Sequence, residues 1–329
     1  MKVGVLQFFG WRDRSVPLED VYQRALARIE VMDRSGYDAV WLAEHHFTGY
    51  SVCPSVHVMA AHVAARTSRL RVGTAVTLAA LYHPLRIAEE VALLDELTGG
   101  RINWGAGRGF DPREFSVFGV PTEESTERFR EAVEIVLAAW THEKLSFTGR
   151  FHRYEDIEVL PKPRQRPHPP TWVAATSPGA VEWAASRGLS ILMDPHSAHG
   201  EIARKLALFY TGLEKHGHER GGREIPIGRL VAVAESDAKA EEVARRAAKW
   251  TAGSYLPKEA LAQFRPGSDP IDPVDHYLDD VVIHGSPERV VEQLQALEEE
   301  VPLGYLLLSP LSEKTFSLFT DRVLPHIAA

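Results

Sequence analysis

The sequence predicts an α/β fold, a (β/α)8 TIM barrel with an insertion before the last helix–strand unit. Short apolar runs alternate with long segments of helical period, which is typical of βα units around a parallel sheet. Each of the eight predicted strands but the last precedes a segment long enough for a helix, which favours a closed barrel over an open doubly wound sheet. The open sheet stays an alternative, because periodicity alone does not reveal closure. A chain of 329 residues is expected to form one barrel domain over residues 1–329, since such barrels often exceed ~250 residues.

In the first half of the chain, predicted strands and helices alternate. Residues 18–35 carry apolar side chains at steps of three and four, and Gly36 ends this pattern, which predicts an amphipathic helix. Another helix is predicted to open with Pro84 and to stop at Gly99-Gly100. Thr122 is the predicted N-cap of a third. The predicted strands are 3–8, 39–42, 70–78 and 101–106, and helix 54–66 follows the second of them.

The second half begins with a predicted hairpin over residues 145–159. Ser177 is a predicted N-cap with Pro178 at the first helical position, and Ser286-Pro287 repeats the same signal. Residues 253–284 contain several prolines and show weak periodicity, so we interpret them as an insertion or a mobile lid. The predicted strands are 171–175, 189–193, 226–234 and 305–308, and the remaining helices include 199–216 and 236–252.

Composition excludes several classes of protein. The formal net charge is −8 and the chain has no long basic run, so nucleic acid is not an expected partner. No apolar stretch approaches the ~18 residues of a membrane span, and the first residues enter a strand rather than a signal peptide. The single cysteine, Cys53, excludes an internal disulfide and a thiolate metal cluster, and its expected role is packing. These observations predict a cytoplasmic protein.

Two places in the sequence suit an anion. Three glycines surround Arg108 in the run 105–110, where backbone can approach a ligand closely and a planar cation can bind a phosphate. The helix start at Ser177 directs free backbone N–H groups outward, which also suits a phosphate. Neighbouring strands of a barrel would bring both to one phosphate, of a cofactor or of a sugar. The alternative for Arg108 is a surface ion pair with Asp111 or Glu114.

The run Glu44-His45-His46-Phe47 follows the second predicted strand. Adjacent strand residues point to opposite faces, so the two histidines are not expected to share a metal ion, and no metal is expected. Either one histidine acts in a site at the barrel mouth, or both are structural hydrogen-bonding residues.

Together these patterns resemble the bacterial-luciferase-like, flavin-dependent monooxygenase family, over residues 1 to about 325. Each motif is weak by itself, but their order and spacing are specific. The motifs are Gly36-Tyr37-Asp38-Ala39-Val40-Trp41-Leu42-Ala43-Glu44-His45-His46-Phe47, Val72-Gly73-Thr74-Ala75, His83-Pro84-Leu85-Arg86, Leu94-Asp95 with Gly100-Arg101, Gly105-Ala106-Gly107-Arg108-Gly109 with Glu114-Phe115 and Phe118-Gly119, Ala175-Thr176-Ser177 with Glu182-Trp183-Ala184, and His284-Gly285-Ser286-Pro287.

The resemblance implies a set of cofactor-binding residues for FMN. The backbone at Ala75-Val76 is implied to lie beside the isoalloxazine ring, through a non-proline cis peptide bond. Gly107 stands where the luciferase α subunit has its reactive cysteine, so light emission is not implied. The implied FMN phosphate contacts are Arg108, Thr176 and Ser177, and Glu44, Ala75, Val76 and Gly107 complete the implied cofactor site.

The activity implied is oxygenation of a hydrophobic organic substrate with reduced FMN and O2, through a C4a-peroxyflavin. The catalytic residue implied is His45, and the predicted substrate contacts are Phe8 and Phe110. A separate NAD(P)H:flavin reductase is expected, because the sequence lacks a dinucleotide-binding fingerprint, and the resemblance implies a homodimer. Three alternatives remain: an F420-dependent hydride-transfer oxidoreductase on the same barrel, a non-catalytic flavin-binding protein, and a metal-dependent hydrolase using His45 and His46.

Overall fold

The computed structural model of this protein describes residues 1–254 and 272–328. The chain divides into two compact units. The middle unit comprises Gln7–Arg34 and Asp38–Ala174, and the terminal unit comprises Met1–Leu6, Ser35–Tyr37 and Ala175–Ala329.

Strands and helices alternate through most of the described residues. The strands are β1 (Lys2–Gln7), β2 (Ala39–Leu42), β3 (Arg71–Thr74), β4 (Thr77–Leu78), β5 (Ile102–Gly107), β6 (Leu145–Thr148), β7 (Arg153–Ile157), β8 (Thr171–Ala174), β9 (Ser190–Leu192), β10 (Pro226–Val233), β11 (Val282–Gly285) and β12 (Tyr305–Pro310). The α-helices are α1 (Leu18–Arg34), α2 (Val56–Ala64), α3 (Pro84–Leu97), α4 (Pro112–Val117), α5 (Ser125–Thr141), α6 (Pro178–Ser186), α7 (His199–Lys215), α8 (Asp237–Ser254), α9 (Pro273–Asp280), α10 (Pro287–Glu300), α11 (Glu313–Arg322) and α12 (Leu324–Ile327).

The middle unit is built on a parallel sheet in the order β2, β3, β5, β8. Short β4 pairs with the far end of β5, which places Thr77 opposite Ala106 and Leu78 opposite Gly107. All residues of β5 are buried, as expected of a central strand with both faces covered. Because parallel strands share one direction, their carboxyl ends meet at one edge, which is where ligands bind in α/β proteins.

The terminal unit is also parallel. β12 lies between β1 and β10, and β10 pairs further along with β11. A single bridge joins Met193, just after β9, to Ile227 in β10. The fold is therefore α/β, with parallel strands and helices in both units. No helix in the described ranges is long and apolar enough to span a membrane.

Most predicted elements are confirmed, including the antiparallel hairpin of β6 and β7. The third predicted strand, 70–78, is wrong in one respect. It is divided into β3 and β4 at Ala75-Val76, whose peptide bond is cis as the resemblance implied. Apolar residues continue through the break, so periodicity could not reveal it.

Two further predictions need correction. The helix expected at Thr122 begins three residues later, because residues 122–124 form a 3₁₀ turn. Part of the predicted insertion or lid is regular structure: α9 lies within 253–284, β11 begins at Val282 inside it, and Ile283 of β11 is fully buried. Residues 255–271 of that segment lie outside the described residues.

Asp33, at the end of α1, fixes the chain that enters β3. Its carboxylate accepts hydrogen bonds from the backbone N–H groups of Ser68 (3.1 Å), Arg69 (2.9 Å) and Leu70 (2.7 Å). Partial burial by itself would raise the pKa of Asp33, but these hydrogen bonds lower it to about 2. The ionised carboxylate is therefore the form that the fold stabilises.

Replacing Asp33 by Ala is expected to lower the free energy of unfolding at pH 7 by about 1 kcal/mol, because three backbone donors lose their acceptor. The pKa is lower in the folded state, so this contribution is present above about pH 4 and disappears as the pH falls through about 2. Urea unfolding of wild type and Asp33→Ala across pH 2.5–7 measures the difference. Asp321→Ala, which removes an exposed carboxylate, is the control; a pH-independent difference at Asp33 would contradict the prediction.

Candidate functional site

Most of the predicted site residues lie at the carboxyl ends of the middle-unit strands. His45 follows β2, the Ala75-Val76 peptide separates β3 from β4, and Arg108 follows β5. Phe8 directly follows β1 and belongs to the same unit. The parallel pairing brings the segments after β2, β3 and β5 to one edge of the sheet, and Phe8 reaches them through its ring contact with His45.

Aromatic rings surround His45. Its imidazole stacks against Phe8 at a centroid distance of 6.2 Å. The rings of Tyr50 and Phe110 lie roughly perpendicular to it, at centroid distances of 5.0 Å and 6.0 Å. Its Nδ1 is 3.8 Å from a carboxylate oxygen of Glu114. The ring is thus held in a largely apolar surrounding with one acidic group nearby, a setting in which a histidine can move a proton.

His46 has different neighbours. Its Nε2 lies 2.9 Å from Oε1 of Glu44, and its ring packs edge-on against Phe118. Only its backbone N–H reaches Glu114, at 2.9 Å. The two imidazoles therefore have different partners, and the predicted opposite faces of His45 and His46 stay a prediction. Within the described ranges, no group of three or more His, Cys, Asp or Glu residues is arranged to hold a metal ion.

Glu44 is buried and connects β2 to the segment after the cis peptide. Besides His46, its carboxylate accepts hydrogen bonds from the Tyr82 hydroxyl (2.8 Å) and from the backbone N–H of Leu78 (3.3 Å). Burial, and then the neighbouring Glu44, raise the pKa of Tyr82, so that its phenol stays protonated and donates. These contacts make Glu44 an anchor of the 75–78 segment, and direct cofactor binding by Glu44 stays a prediction.

Gly107 has no room for a side chain. A Cβ built at this position would lie 2.2 Å from Cγ2 of Val76, well inside van der Waals contact. Val76 thus occupies the space in which a cysteine side chain at position 107 would begin. The packing of Val76 against Gly107 is therefore compatible with glycine at position 107 and not with cysteine.

Gly107→Ala is expected to lower the free energy of unfolding by about 1–3 kcal/mol, the usual effect of overpacking a buried position. Adding Val76→Ala should recover most of that loss, because it removes the clashing methyl groups. Urea unfolding of both single variants and the double variant measures the coupling. Gly179→Ala is the control, since a Cβ there meets no atom within 4 Å; additive effects at 107 and 76 would contradict the steric explanation.

Arg108 is not paired with either carboxylate that the sequence offered. Its Nη1 donates to Oγ of Ser125 at 3.0 Å, and its guanidinium lies 5.8 Å from the centroid of Phe115. Asp111 instead caps α4, and Glu114 accepts from the His46 backbone. The surface ion pair is therefore wrong. Among the described residues no carboxylate lies within ion-pair distance of Arg108, so its remaining N–H donors suit an external anion.

The second predicted anion site, the helix start at Ser177, has the predicted N-cap. Ser177 caps α6, its Oγ accepting from the backbone N–H of Ala180 at 3.3 Å, with Pro178 at the first helical position. Thr176 and Ser177 are both exposed. They belong to the terminal unit and Arg108 to the middle unit, so the joint binding of one phosphate stays a prediction.

Cys53 is buried, and that burial, followed by the charge of Glu44, raises its pKa to about 12. A thiol of this kind is not a nucleophile near neutral pH. The packing role predicted for Cys53 is consistent with this environment.

The sequence did not indicate Tyr50 and Tyr82 as members of the site, nor that Glu114 contacts the two histidines. Short helix α4 positions Glu114, and this helix was not predicted, although Asp111-Pro112 is an N-cap signal. Tyr50 and Tyr82 carry no local signal, because their partners come from distant parts of the chain.

The chain belongs to the luciferase-like monooxygenase family, whose family model matches residues 1–302. It is 29% identical over 238 residues to the alkanal monooxygenase alpha chain of the Kryptophanaron alfredi symbiont, covering 72% of this chain and 67% of the relative. It is 28% identical over 229 residues to the oxygenase component of the flavin-dependent trigonelline monooxygenase of Acinetobacter baylyi, covering 69% of this chain and 63% of the relative. With protein y4wF of Sinorhizobium fredii the identity is 41% over 170 residues, and the chain spans only 50% of that relative.

Solved structures agree with this assignment. Monooxygenase RslO1 from Streptomyces bottropensis superposes with a TM-score of 0.85 and 27% identity over 100% of both chains. Two more distant structures share the fold alone. One is the oxygenating constituent of 3,6-diketocamphane monooxygenase from Pseudomonas putida in complex with FMN, with a TM-score of 0.82, 19% identity and 99% and 98% coverage. The other is an F420-dependent secondary alcohol dehydrogenase in complex with an F420-acetone adduct, with a TM-score of 0.80, 18% identity and 100% and 99% coverage.

Proposed function

We propose that this chain is the oxygenase component of a two-component, flavin-dependent monooxygenase. It takes reduced FMN from a separate NAD(P)H:flavin reductase and uses O2 to oxygenate a hydrophobic organic substrate. The observation that carries this proposal is the guanidinium of Arg108, which lies without a carboxylate partner among the described residues at the end of β5. Bound FMN would supply the activation of O2, and the protein would supply binding, orientation and exclusion of water.

The residues present fit a flavin phosphate and a flavin ring. Arg108 of the middle unit offers donors to a phosphate. In the terminal unit, the capped start of α6 at Ser177, with Thr176 beside it, has backbone donors that also suit a phosphate. Val76 packs over Gly107, where no side chain can stand, and this packing holds the Ala75-Val76 backbone beside which the flavin ring would lie.

The surroundings of His45 favour a hydrophobic substrate. Phe8, Tyr50 and Phe110 surround its ring, and about half of Phe110 is exposed. Such a setting binds apolar groups while leaving one titratable ring to exchange a proton. We assign the catalytic role to His45 and the substrate contacts to Phe8 and Phe110.

The proposal includes the features that the resemblance implied for the whole chain. We propose that residues 1–329 form one luciferase-like domain, that the parallel strands close into a (β/α)8 barrel, and that the protein is a homodimer. A cytoplasmic location stays a prediction, based on the single cysteine.

The alternative is F420-dependent hydride transfer, because an F420-dependent dehydrogenase shares the fold with a TM-score of 0.80. Titration of the purified protein with FMN and with F420, followed by fluorescence, separates the two. We expect micromolar binding of FMN, and O2 uptake with reduced FMN that is coupled to an oxygenated product. Binding of F420 without FMN would establish the alternative, and FMN binding without coupled product would indicate a non-catalytic flavin-binding protein.

A further inference from the structure

A chain of hydrogen bonds, buried at its inner end, reaches the 75–78 segment from the helices of the middle unit. Nε2 of His57, at the start of α2, lies 3.1 Å from Oγ1 of Thr77, and Nδ1 lies 2.8 Å from Oε2 of Glu90 on α3. Oε1 of Glu90 accepts from Arg86 at 2.7 Å. Thr77 is fully buried and His57 is 5% exposed, whereas the Glu90 side chain is 33% exposed.

The hydrogen bonds to Glu90 and Thr77 fix the orientation of the His57 imidazole. The hydrogen bond from His57 is the largest cause that lowers the pKa of Glu90, so this carboxylate is ionised and can only accept. Nδ1 of His57 therefore carries the hydrogen, and Nε2 faces the Thr77 hydroxyl. With both nitrogens engaged, the ring has one orientation, in the same way that a carboxylate fixes a histidine behind many active sites.

Thr77 begins β4, directly after the cis peptide. Its neighbour Val76 packs above Gly107, and the N–H of the following residue, Leu78, donates to Glu44. Two carboxylate networks thus hold this segment from two sides: Glu44 from β2, and Glu90 through His57 from the helices. The networks converge on the backbone that the proposed function places beside the flavin ring.

We infer that His57 is a positioning residue: the Glu90–His57–Thr77 chain holds residues 75–78 in the place that FMN binding requires. This inference rests on the proposed function. It assigns no contact between His57 and the cofactor, since the effect is transmitted through the Thr77 hydroxyl.

Thr77→Val tests the inference, because valine keeps the shape of threonine and removes the hydroxyl. We expect FMN to bind about tenfold more weakly, which corresponds to one lost hydrogen bond of ~1.4 kcal/mol, and the midpoint potential of bound FMN to shift. Thr77→Ser, which restores the hydroxyl, should return both values to within about twofold of wild type. Thr141→Val is the matched control, since its hydroxyl bonds only within α5 and next to it.

If Thr77→Val does not fold, Glu90→Gln provides a second test of the inference, because the Glu90 side chain is partly exposed. It should also weaken FMN binding, whereas Arg86→Ala, which removes only the outer partner of Glu90, should not. Unchanged FMN affinity and potential in Thr77→Val and Glu90→Gln, with lower melting temperatures alone, would overturn the inference and leave the proposed function standing. Wild-type protein that binds no FMN would overturn both.

Discussion

His45→Ala is expected to keep FMN binding and to lose product formation by roughly 10²–10⁴-fold, the usual contribution of a positioned general acid or base. The imidazole lies between Phe8, Tyr50 and Phe110, with Nδ1 3.8 Å from Glu114. Removing it takes away the imidazole that can exchange a proton with oxygen or substrate in this aromatic setting. The FMN phosphate and ring contacts that we propose lie on other residues, so affinity should change little.

The measurement is O2 uptake and product yield with reduced FMN, beside an FMN titration of the same preparation. His62→Ala is the matched control, because this histidine is exposed on α2. If His45→Ala retains wild-type turnover and coupling, the catalytic role of His45 is wrong. If it loses FMN binding as well, His45 serves the cofactor site rather than the proton transfer.

Arg108→Ala should weaken FMN binding by about 100-fold or more. Hydrogen bonds from a guanidinium to a charged group contribute about 1.5–3 kcal/mol each, and a guanidinium can make two to one phosphate. Ser125 and Phe115 already hold the side chain in place, so little freedom is lost when a phosphate binds. Arg108→Lys should retain part of the affinity, because it keeps the charge and loses the forked geometry.

Riboflavin, which has the same ring and no phosphate, separates the two possible origins of such a loss. Its affinity should be nearly equal for wild type and Arg108→Ala if Arg108 binds the phosphate. Arg113→Ala is the control for loss of a positive charge. Arg113 lies in α4 and donates to the Phe47 carbonyl. Equal loss of FMN and riboflavin would mean that Arg108 supports the ring site, and unchanged FMN affinity would contradict the phosphate assignment.

Several features of the site follow from short stretches of sequence. The N-cap at Ser177 and the glycines around Arg108 depend on residues within a few positions, so local rules predicted them. The order of the family motifs also lies in the sequence, and the family model confirms it over residues 1–302.

Partners that are distant along the chain could not be predicted in this way. The local sequence makes Glu114 a candidate partner of Arg108, yet it accepts from His46, 68 residues away. His57 meets Glu90 across 33 residues, and nothing in the local pattern of α2 or α3 distinguishes this pair from surface residues. β11 was likewise not predictable from local sequence. Its short apolar run forms a strand because it pairs with β10 in the folded protein.

The sequence by itself determined the alternation of strands and helices, the family, and which residue types stand at the strand ends. The tertiary structure decided that the third strand is divided at Ala75-Val76, that Val76 fills the space above Gly107, and that Arg108 has no carboxylate partner among the described residues. The physical reason is the range of the forces involved. Caps and periodicity act over one or two turns of chain, whereas the choice of a hydrogen-bond or packing partner depends on which segments the whole sheet brings together.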